Sequence, residues 1–489
     1  MRQESPSVTS ELARRAFGAL IWRGLAMGGE KVIFLVRLIV LARLLSPEDF
    51  GLVAIGMTVL AIALSLTNFG VVAALIQQPA ADKRHRDTAW TIGLLRGTGI
   101  TLLLALAAPW IADAFADPRA TNIIRALALT ALIQGAESIE VARLNRELRF
   151  RGLASIRLSA AIANTVVAVA LARSQGPWAL VWGALAGAAI QMAFSYVVAP
   201  YRPGLRLADD ATASIARFGR WIFVIGVLGV VGDAALRWII ATRLGVVELG
   251  LFFMTARLAF LPAQLISELV SDVAFPVYAQ LQTDRRQAAA AFKRLLVAVA
   301  ALLVPACLVF AWLVPDLVQH VLGERWQGVV AVMPLLILSS IVGLLGDGVV
   351  PVLKGTGQPA GIAVMELLQL VLMVALGWPL IGAYGLVGAG IAWLAAIAVS
   401  QILAARYARR LFGEPFTGIA RPLLAILSGA ALATMVAALT VAWLPSLSGL
   451  VLAVLASGGT AAVVMLVLDR RWRLGIMATF SGSFPWLRK

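Results

Sequence analysis

The sequence predicts an all-α membrane protein of about 14 transmembrane helices, and three observations predict it. Of its 489 residues, 61% are hydrophobic, and the mean hydropathy is +0.91. Only 13% are charged, against about a quarter in a soluble domain. Continuous apolar runs such as 51–76 and 449–468 are long enough to cross about 30 Å of hydrocarbon as helices. Only helices or closed barrels satisfy their backbone polar groups in lipid. Barrel strands would alternate over about ten residues, and these runs do not.

Apolar periodicity places the spans at roughly 18–42, 50–76, 88–112, 120–142, 154–172, 178–199, 218–240, 249–275, 295–314, 329–352, 360–378, 385–405, 422–443 and 449–468. Connections are short; the longest, 200–217 and 276–294, leave no room for a folded domain. Residues 1–16 are polar and the first apolar stretch is too long for a signal peptide, so none is expected. The lone Cys307 lies in an apolar run and excludes a disulfide framework within the chain.

Charge fixes the orientation. With the N-terminus in the cytoplasm, 28 Lys and Arg fall on the cytoplasmic side. The other side holds 5: Arg43, Arg119, Arg173, Arg243 and Arg325. That asymmetry follows the positive-inside rule and puts both termini in the cytoplasm. The net charge of +16 therefore belongs to cytoplasmic loops, and no nucleic-acid partner is expected.

The chain also repeats itself. Arg37, Arg43 and Glu48 recur as Arg237, Arg243 and Glu248, each 200 residues on. Phe17-Gly18 and Phe218-Gly219 open the same two spans, and Gly51-Leu52 and Gly250-Leu251 start the next. The expected architecture is two six-helix lobes related by an axis along the membrane normal, plus two C-terminal helices. The boundaries are an N-tail 1–17, an N-lobe 18–200, a linker 201–217, a C-lobe 218–405, two further helices 406–468 and a C-tail 469–489.

Sixteen charges fall inside the spans. Each costs about 2.5–3.5 kcal/mol at mid-bilayer, so such residues face a bundle interior or a wet cavity. Arg157, Glu137 and Glu140 lie near span ends and are expected to snorkel toward water. Arg125, Glu268 and Asp272 are also close to ends. The cavity candidates are Arg23, Lys31, Arg37, Arg96, Arg237 and Arg257 for an anion. Glu30, Asp233, Asp347 and Glu366 are candidates for a coupling ion, because a buried carboxylate can hold a proton. In the first span, residues 23, 30 and 37 share one face at a spacing of seven. Gly24, Gly28 and Gly29 permit close packing beside them.

Five segments then bear a family resemblance. They are Ala42-Arg-Leu-Leu-Ser-Pro-Glu-Asp-Phe-Gly51, Asn145-Arg-Glu-Leu-Arg-Phe150, Phe275-Pro-Val-Tyr-Ala-Gln-Leu-Gln282, Gly323-Glu-Arg-Trp326 with Pro334, and Lys354-Gly-Thr-Gly-Gln-Pro359. In this order the chain resembles the polysaccharide transporter family of the multidrug/oligosaccharidyl-lipid/polysaccharide exporter superfamily. The second copy of the first motif is worn to Thr242-Arg-Leu-Gly245.

The resemblance implies a two-lobed, V-shaped bundle in the bacterial inner membrane. It implies a flippase that moves an undecaprenyl-diphosphate-linked oligosaccharide, the repeat unit of an O-antigen, capsule or exopolysaccharide, by alternating access. Its partners would be that lipid-linked sugar, membrane lipid, and the polymerase and export machinery. No cofactor is expected beyond H⁺ or Na⁺ as coupling ion.

Two other functions fit less of the pattern. A multidrug/cation antiporter would favour acids without the arginines of span one. A polysaccharide polymerase or ligase would need acid/base groups in an outer loop. The longest outer loop, 315–328, offers Asp316, His320, Glu324 and Arg325, with no triad or metal spacing. The other histidine, His85, falls on the cytoplasmic side. There is no phosphate-binding Gly-Lys-Ser/Thr loop, and the chain is not expected to be an enzyme.

Overall fold

The computed structural model describes residues 28–67, 83–147, 149–206, 220–265, 285–355, 358–413, 416 and 418–472. Every regular element among them is helical. Ten helices there are long and apolar enough to cross a membrane, one of them bent back on itself, and the protein is a multi-pass membrane protein. The chain divides into two compact units, Met1–Val230 and Val231–Lys489.

The first unit holds α1 (28–44), α2 (Pro47–Leu66), α3 (Lys83–Ala114), α4 (Ala120–Gly135), the short α5 (Val141–Arg146), α6 (Phe150–Gln175) and α7 (Pro177–Val198). The motif around residue 46 explains the start of α2. Ser46 accepts from the Asp49 N–H at 3.2 Å, and the Ser46 N–H donates to the Asp49 carboxylate at 2.8 Å. Pro47 fills the first helical position. This capping box satisfies donors that have no partner within the helix.

Neighbouring turns are tied to it. Arg119, in the turn between α3 and α4, reaches Glu48 at 2.7 Å and Asp117 at 2.8 Å. Asp117 also accepts from the Arg119 backbone N–H and Nε.

The α6–α7 hairpin closes on a single residue, Gly176, at φ 53° and ψ −127°, a conformation that only glycine adopts without strain. Below the turn, Gly183 lies against Ala168 and Asn164. Small residues let the two backbones approach, as helix packing in lipid favours. Between α3 and α4, Gly93 and Gly97 meet the Gly135 and Ala131 carbonyls at similarly close range.

The second unit begins within α8 (Arg220–Leu244) and continues through α9 (Val246–Ala259), α10 (Arg285–Leu317), α11 (Gly328–Gly355), α12 (Pro359–Phe412), α13 (Ala420–Trp443) and α14 (Leu447–Trp472). Here Gly245 (φ 94°) precedes α9, and no side chain caps that helix. The worn second motif has lost its serine and with it the capping box.

α12 reverses at Gly385 (φ 58°, ψ −137°), matching the turn at Gly176. Its limbs run antiparallel, with Gly361 against Tyr407 and Gln369 donating to Ser400 at 3.1 Å. A π-helical turn, Val318–Leu322, and a 3₁₀ turn ending at the fully buried Trp326 join α10 to α11. α13 and α14 pack on α10 through Val309, Leu313, Ala433, Ala437 and Ala453.

The Arg119 hydrogen bonds hold the Asp117 carboxyl below the usual carboxylate range, with burial opposing. A depressed carboxylate stabilises the fold above its unfolded pKa of about 3.9 and stops doing so as pH falls below it. Asp117→Asn is expected to cost about 1 kcal/mol near neutral pH, since Arg119 is largely exposed. Thermal unfolding in detergent should show the gap between native and variant proteins closing below about pH 4.

Candidate functional site

The first unit contains two adjoining polar cavities. One, of 380 Å³, lies among α3, α4, α6 and α7 and is lined by Arg96, Glu137, Gln134, Arg157 and Gln191. The other, of 330 Å³, shares Gln134, Arg157 and Gln191 and adds Glu30, Arg37 and Asn164. Arg37 lies about 10 Å along α1 from residue 44, and Arg157 about 27 Å along α6 from Gln175. Charged and amide side chains thus line the interior over roughly half the thickness of a bilayer.

Two arginines stand out in this space. The Arg37 guanidinium sits 5.5 Å from the Phe34 ring centroid. Among the described residues it has no hydrogen-bond acceptor or acid partner. Arg157 is exposed to both cavities and likewise has no acceptor among the described residues. Its electrostatic neighbour is Glu137. A guanidinium carries five N–H donors in a planar fork suited to carboxylate and phosphate oxygens. Two of them open to one polar space have donors suited to an anion.

The other basic candidates are more occupied. Arg96 donates to the Leu64 carbonyl at 2.7 Å and to Thr67 Oγ1 at 2.8 Å. It therefore closes the C-terminal end of α2, where carbonyls lack partners and the dipole favours a cation. In the second unit, Arg237 pairs with Asp233 at 2.8 Å, one turn away on α8. Arg237 and Arg257 both lie over the Phe253 ring, at 5.7 Å and 4.9 Å. Lys31 and Glu366 are half-buried on α1 and α12. Arg23 lies outside the described residues, as do Glu268, Asp272 and the side chain of Asp347.

Three charges expected to snorkel do something else. Arg157 and Glu137 line the cavity. Glu140 is buried between Arg86 at 3.0 Å and Arg143 at 3.2 Å. For the two glutamates the reason is a break in the fourth span; Arg157 faces the cavity from α6. α4 ends at Gly135, and residues 136–140 leave the helix before α5 begins. α7 fixes that break from the side. The Ser138 N–H donates to Ser195 Oγ at 3.0 Å, Ser138 Oγ to the Ala199 carbonyl at 2.7 Å, and the Tyr196 hydroxyl to the Ala136 carbonyl at 2.8 Å. Glu137 is presented between two anchored neighbours and accepts from Gln191 Nε2 at 3.3 Å. The sequence carried a signal for this site: the amides Gln134 and Gln191 lie within apolar spans.

Arg125 has a separate task. Pro109 lacks the N–H that would satisfy the Ala105 carbonyl within α3. Arg125 Nε donates to that carbonyl at 3.1 Å. The exposed arginine thus answers a defect made by proline on a neighbouring helix.

Comparison with known proteins adds to this geometry. The family model described as "Polysaccharide biosynthesis protein" matches residues 40–331. "Lipopolysaccharide biosynthesis protein WzxC" of Escherichia coli (strain K12) is 26% identical over 337 residues, which cover 68% of this chain and 66%, just under two thirds, of that protein. "Succinoglycan biosynthesis transport protein ExoT" of Rhizobium meliloti (strain 1021) is 26% identical over 359 residues, 73% of this chain and 72% of the relative. Among solved structures, lipid II flippase MurJ in its inward closed conformation superposes with a TM-score of 0.74 at 12% identity, covering 92% of this chain and 99% of that one. An inward-facing multidrug resistance MATE family transporter superposes at 0.61 and 17% identity, over 80% and 96%. At such identities the structural likeness is one of fold.

Arg125→Leu is expected to destabilise the protein by about 1–3 kcal/mol, because it leaves the Ala105 carbonyl unpartnered. Pro109→Ala restores the internal donor, so the double variant should recover most of the loss. Thermal unfolding of the two single variants and the double variant measures the coupling; additive effects would show that the arginine does not serve this carbonyl.

Proposed function

The chain belongs to the polysaccharide biosynthesis protein family, and from that premise we propose that it is a flippase for a lipid-linked oligosaccharide. The cargo is an undecaprenyl-diphosphate-linked repeat unit of an O-antigen, capsule or exopolysaccharide. It crosses the bacterial inner membrane by alternating access and is then available to polymerase and export machinery. The names of the two relatives, one of lipopolysaccharide biosynthesis and one of succinoglycan transport, support this class of cargo. The likeness in fold to a lipid II flippase supports the mode of transport.

One observation carries the reading: Arg37 and Arg157 line adjoining cavities with no acceptor among the described residues. A diphosphate brings two or more negative charges and several strong acceptor oxygens, which lipid cannot solvate. The guanidinium groups replace lost water with charge-assisted hydrogen bonds. Gln134, Asn164 and Gln191 offer donors and acceptors to sugar hydroxyls. Arg23 and Lys31 extend the basic surface of the first helix, Arg96 borders it from α3, and Arg237 and Arg257 supply charge in the second unit. A cationic drug would meet three arginines, Arg37, Arg96 and Arg157, against two glutamates, Glu30 and Glu137, along these cavities, which disfavours the multidrug reading.

The energetics suit export. With both termini cytoplasmic and the cell interior negative, outward movement of two negative charges is favoured by roughly 4–5 kcal/mol per 100 mV. Glu30, Asp233, Asp347 and Glu366 are the proposed sites for a coupling H⁺ or Na⁺. The protein makes and breaks no covalent bond in this scheme, so its work is binding and reorientation.

Arg37→Gln and Arg157→Gln should each lower export by about tenfold or more, the worth of one charge-assisted contact. The measurement is surface polysaccharide in a strain dependent on this chain, with membrane protein levels monitored alongside. Undiminished export by the double variant would refute the anion site.

A further inference from the structure

The cavity among α3, α4, α6 and α7, which Arg157 lines, also holds a carboxylate that the transport scheme has not used. Glu137 stands in the break between α4 and α5. Its backbone neighbours Ala136 and Ser138 are both hydrogen-bonded to α7. Trp90 Nε1 from α3 donates to the Tyr196 hydroxyl at 3.0 Å and braces that anchor. The carboxylate therefore cannot retreat far from the cavity without dismantling a network that spans α3, α4 and α7. Such fixed placement is unusual for an acid with no structural ion pair.

The groups facing Glu137 come from every helix packed around it. From α7, Gln191 donates at 3.3 Å and 3.5 Å to the two carboxylate oxygens, and Tyr196 lies within electrostatic reach. From α6, Arg157 interacts electrostatically without a direct ion pair. From α3, Arg96 lines the same cavity, with its guanidinium committed to the end of α2. On its own segment, Glu140 is engaged by Arg86 and Arg143. Among the described residues, Arg157 is thus the one cation facing Glu137 that has no competing acceptor.

We propose that Glu137 is the resident counter-ion of the cavity, ionised when the cavity is empty and protonated when a diphosphate headgroup occupies it. The inference rests on the anion-site reading above. An ionised Glu137 balances Arg157 while no cargo is present. Arrival of a diphosphate places like charge beside the carboxylate and draws away the guanidinium that supported its ionised form. Both changes favour the neutral acid. A proton from the aqueous phase then adds to a Glu137 oxygen, and no other bond is made or broken. The neutral carboxyl becomes a donor and can hydrogen-bond a phosphate or sugar oxygen. When cargo leaves, the proton returns to water. By linkage, lower pH must strengthen anion binding through Glu137 to the same extent that anion binding raises proton uptake.

The test is calorimetric titration of the full chain in detergent with geranylgeranyl diphosphate. It is run at one pH in two buffers of different ionisation enthalpy, so that protons taken up per ligand bound are read directly. The native protein should take up a substantial fraction of one proton. Glu137→Gln should bind at least as tightly with that uptake lost, and Glu137→Asp should retain it. The ratio of native to Glu137→Gln affinity should rise as pH falls from 8 to 5.5, by about tenfold per pH unit wherever one whole proton is taken up; taking the ratio cancels titration of the ligand itself. Binding by the native protein with no proton uptake overturns the proposal even if a variant fails to fold, and so does equal uptake by native protein and Glu137→Gln. No binding by the native protein overturns the anion-site reading and this inference together.

Discussion

Bare charge is expensive in hydrocarbon, and the arrangement of the first unit follows from that constraint. Every arginine placed within a span must find an acceptor, an aromatic face or water. Arg96 takes the open carbonyls at the end of α2. Arg125 takes the carbonyl stranded by Pro109. Arg37 faces the Phe34 ring and a cavity, and Arg157 faces cavity alone. Side chains of the same type thus fall into two groups: those that repair the backbone and those left open to receive something else. Only the second group keeps donors for the proposed cargo.

The same constraint shapes the helices that hold them. Tight backbone approach through Gly93, Gly97, Gly135 and Gly183 compensates for the missing hydrophobic drive between helices in lipid. Single-glycine reversals at Gly176 and Gly385 place each hairpin's helices in contact at once. The break after Gly135 exposes backbone polar groups that a continuing helix would pair. It is tolerated because Ser138, Ser195, Tyr196 and Ala199 satisfy them. Irregular backbone of this kind in membrane proteins is usually found lining a polar cavity, and here it presents Glu137 to one.

The internal repeat shows how one pattern tolerates different local solutions. Ser46 caps α2 by its side chain, whereas Gly245 precedes α9 with a positive φ and no side-chain cap. Arg37 is open to its cavity, yet its counterpart Arg237 pairs with Asp233. The acid one turn earlier in the second unit accounts for that difference. Equivalent positions of the repeat therefore have different partners, and the more open arginine lies in the first unit.

Apolar run length and the low charge fraction were sufficient to specify membrane-spanning helices, because the bilayer admits few other backbones. Ser46-Pro47-Glu48-Asp49 and the glycines at 176 and 385 likewise announce a helix start and two reversals, since caps and tight turns depend on local chemistry. The sequence also marked Arg37 as a charge kept inside the membrane. Tertiary structure alone decided which intramembrane charges are open. Distance from a span end placed Arg157 and Glu137 among snorkelling residues, but an early end to α4 turned Glu137 inward, and α6 sets Arg157 on the same cavity. Arg96 read as a cavity candidate and Arg125 as a charge close to a span end until the carbonyls of Leu64 and Ala105, on other helices, appeared beside them. A side chain's partner across the fold is a non-local fact, set by helix packing, and no periodicity along the chain encodes it.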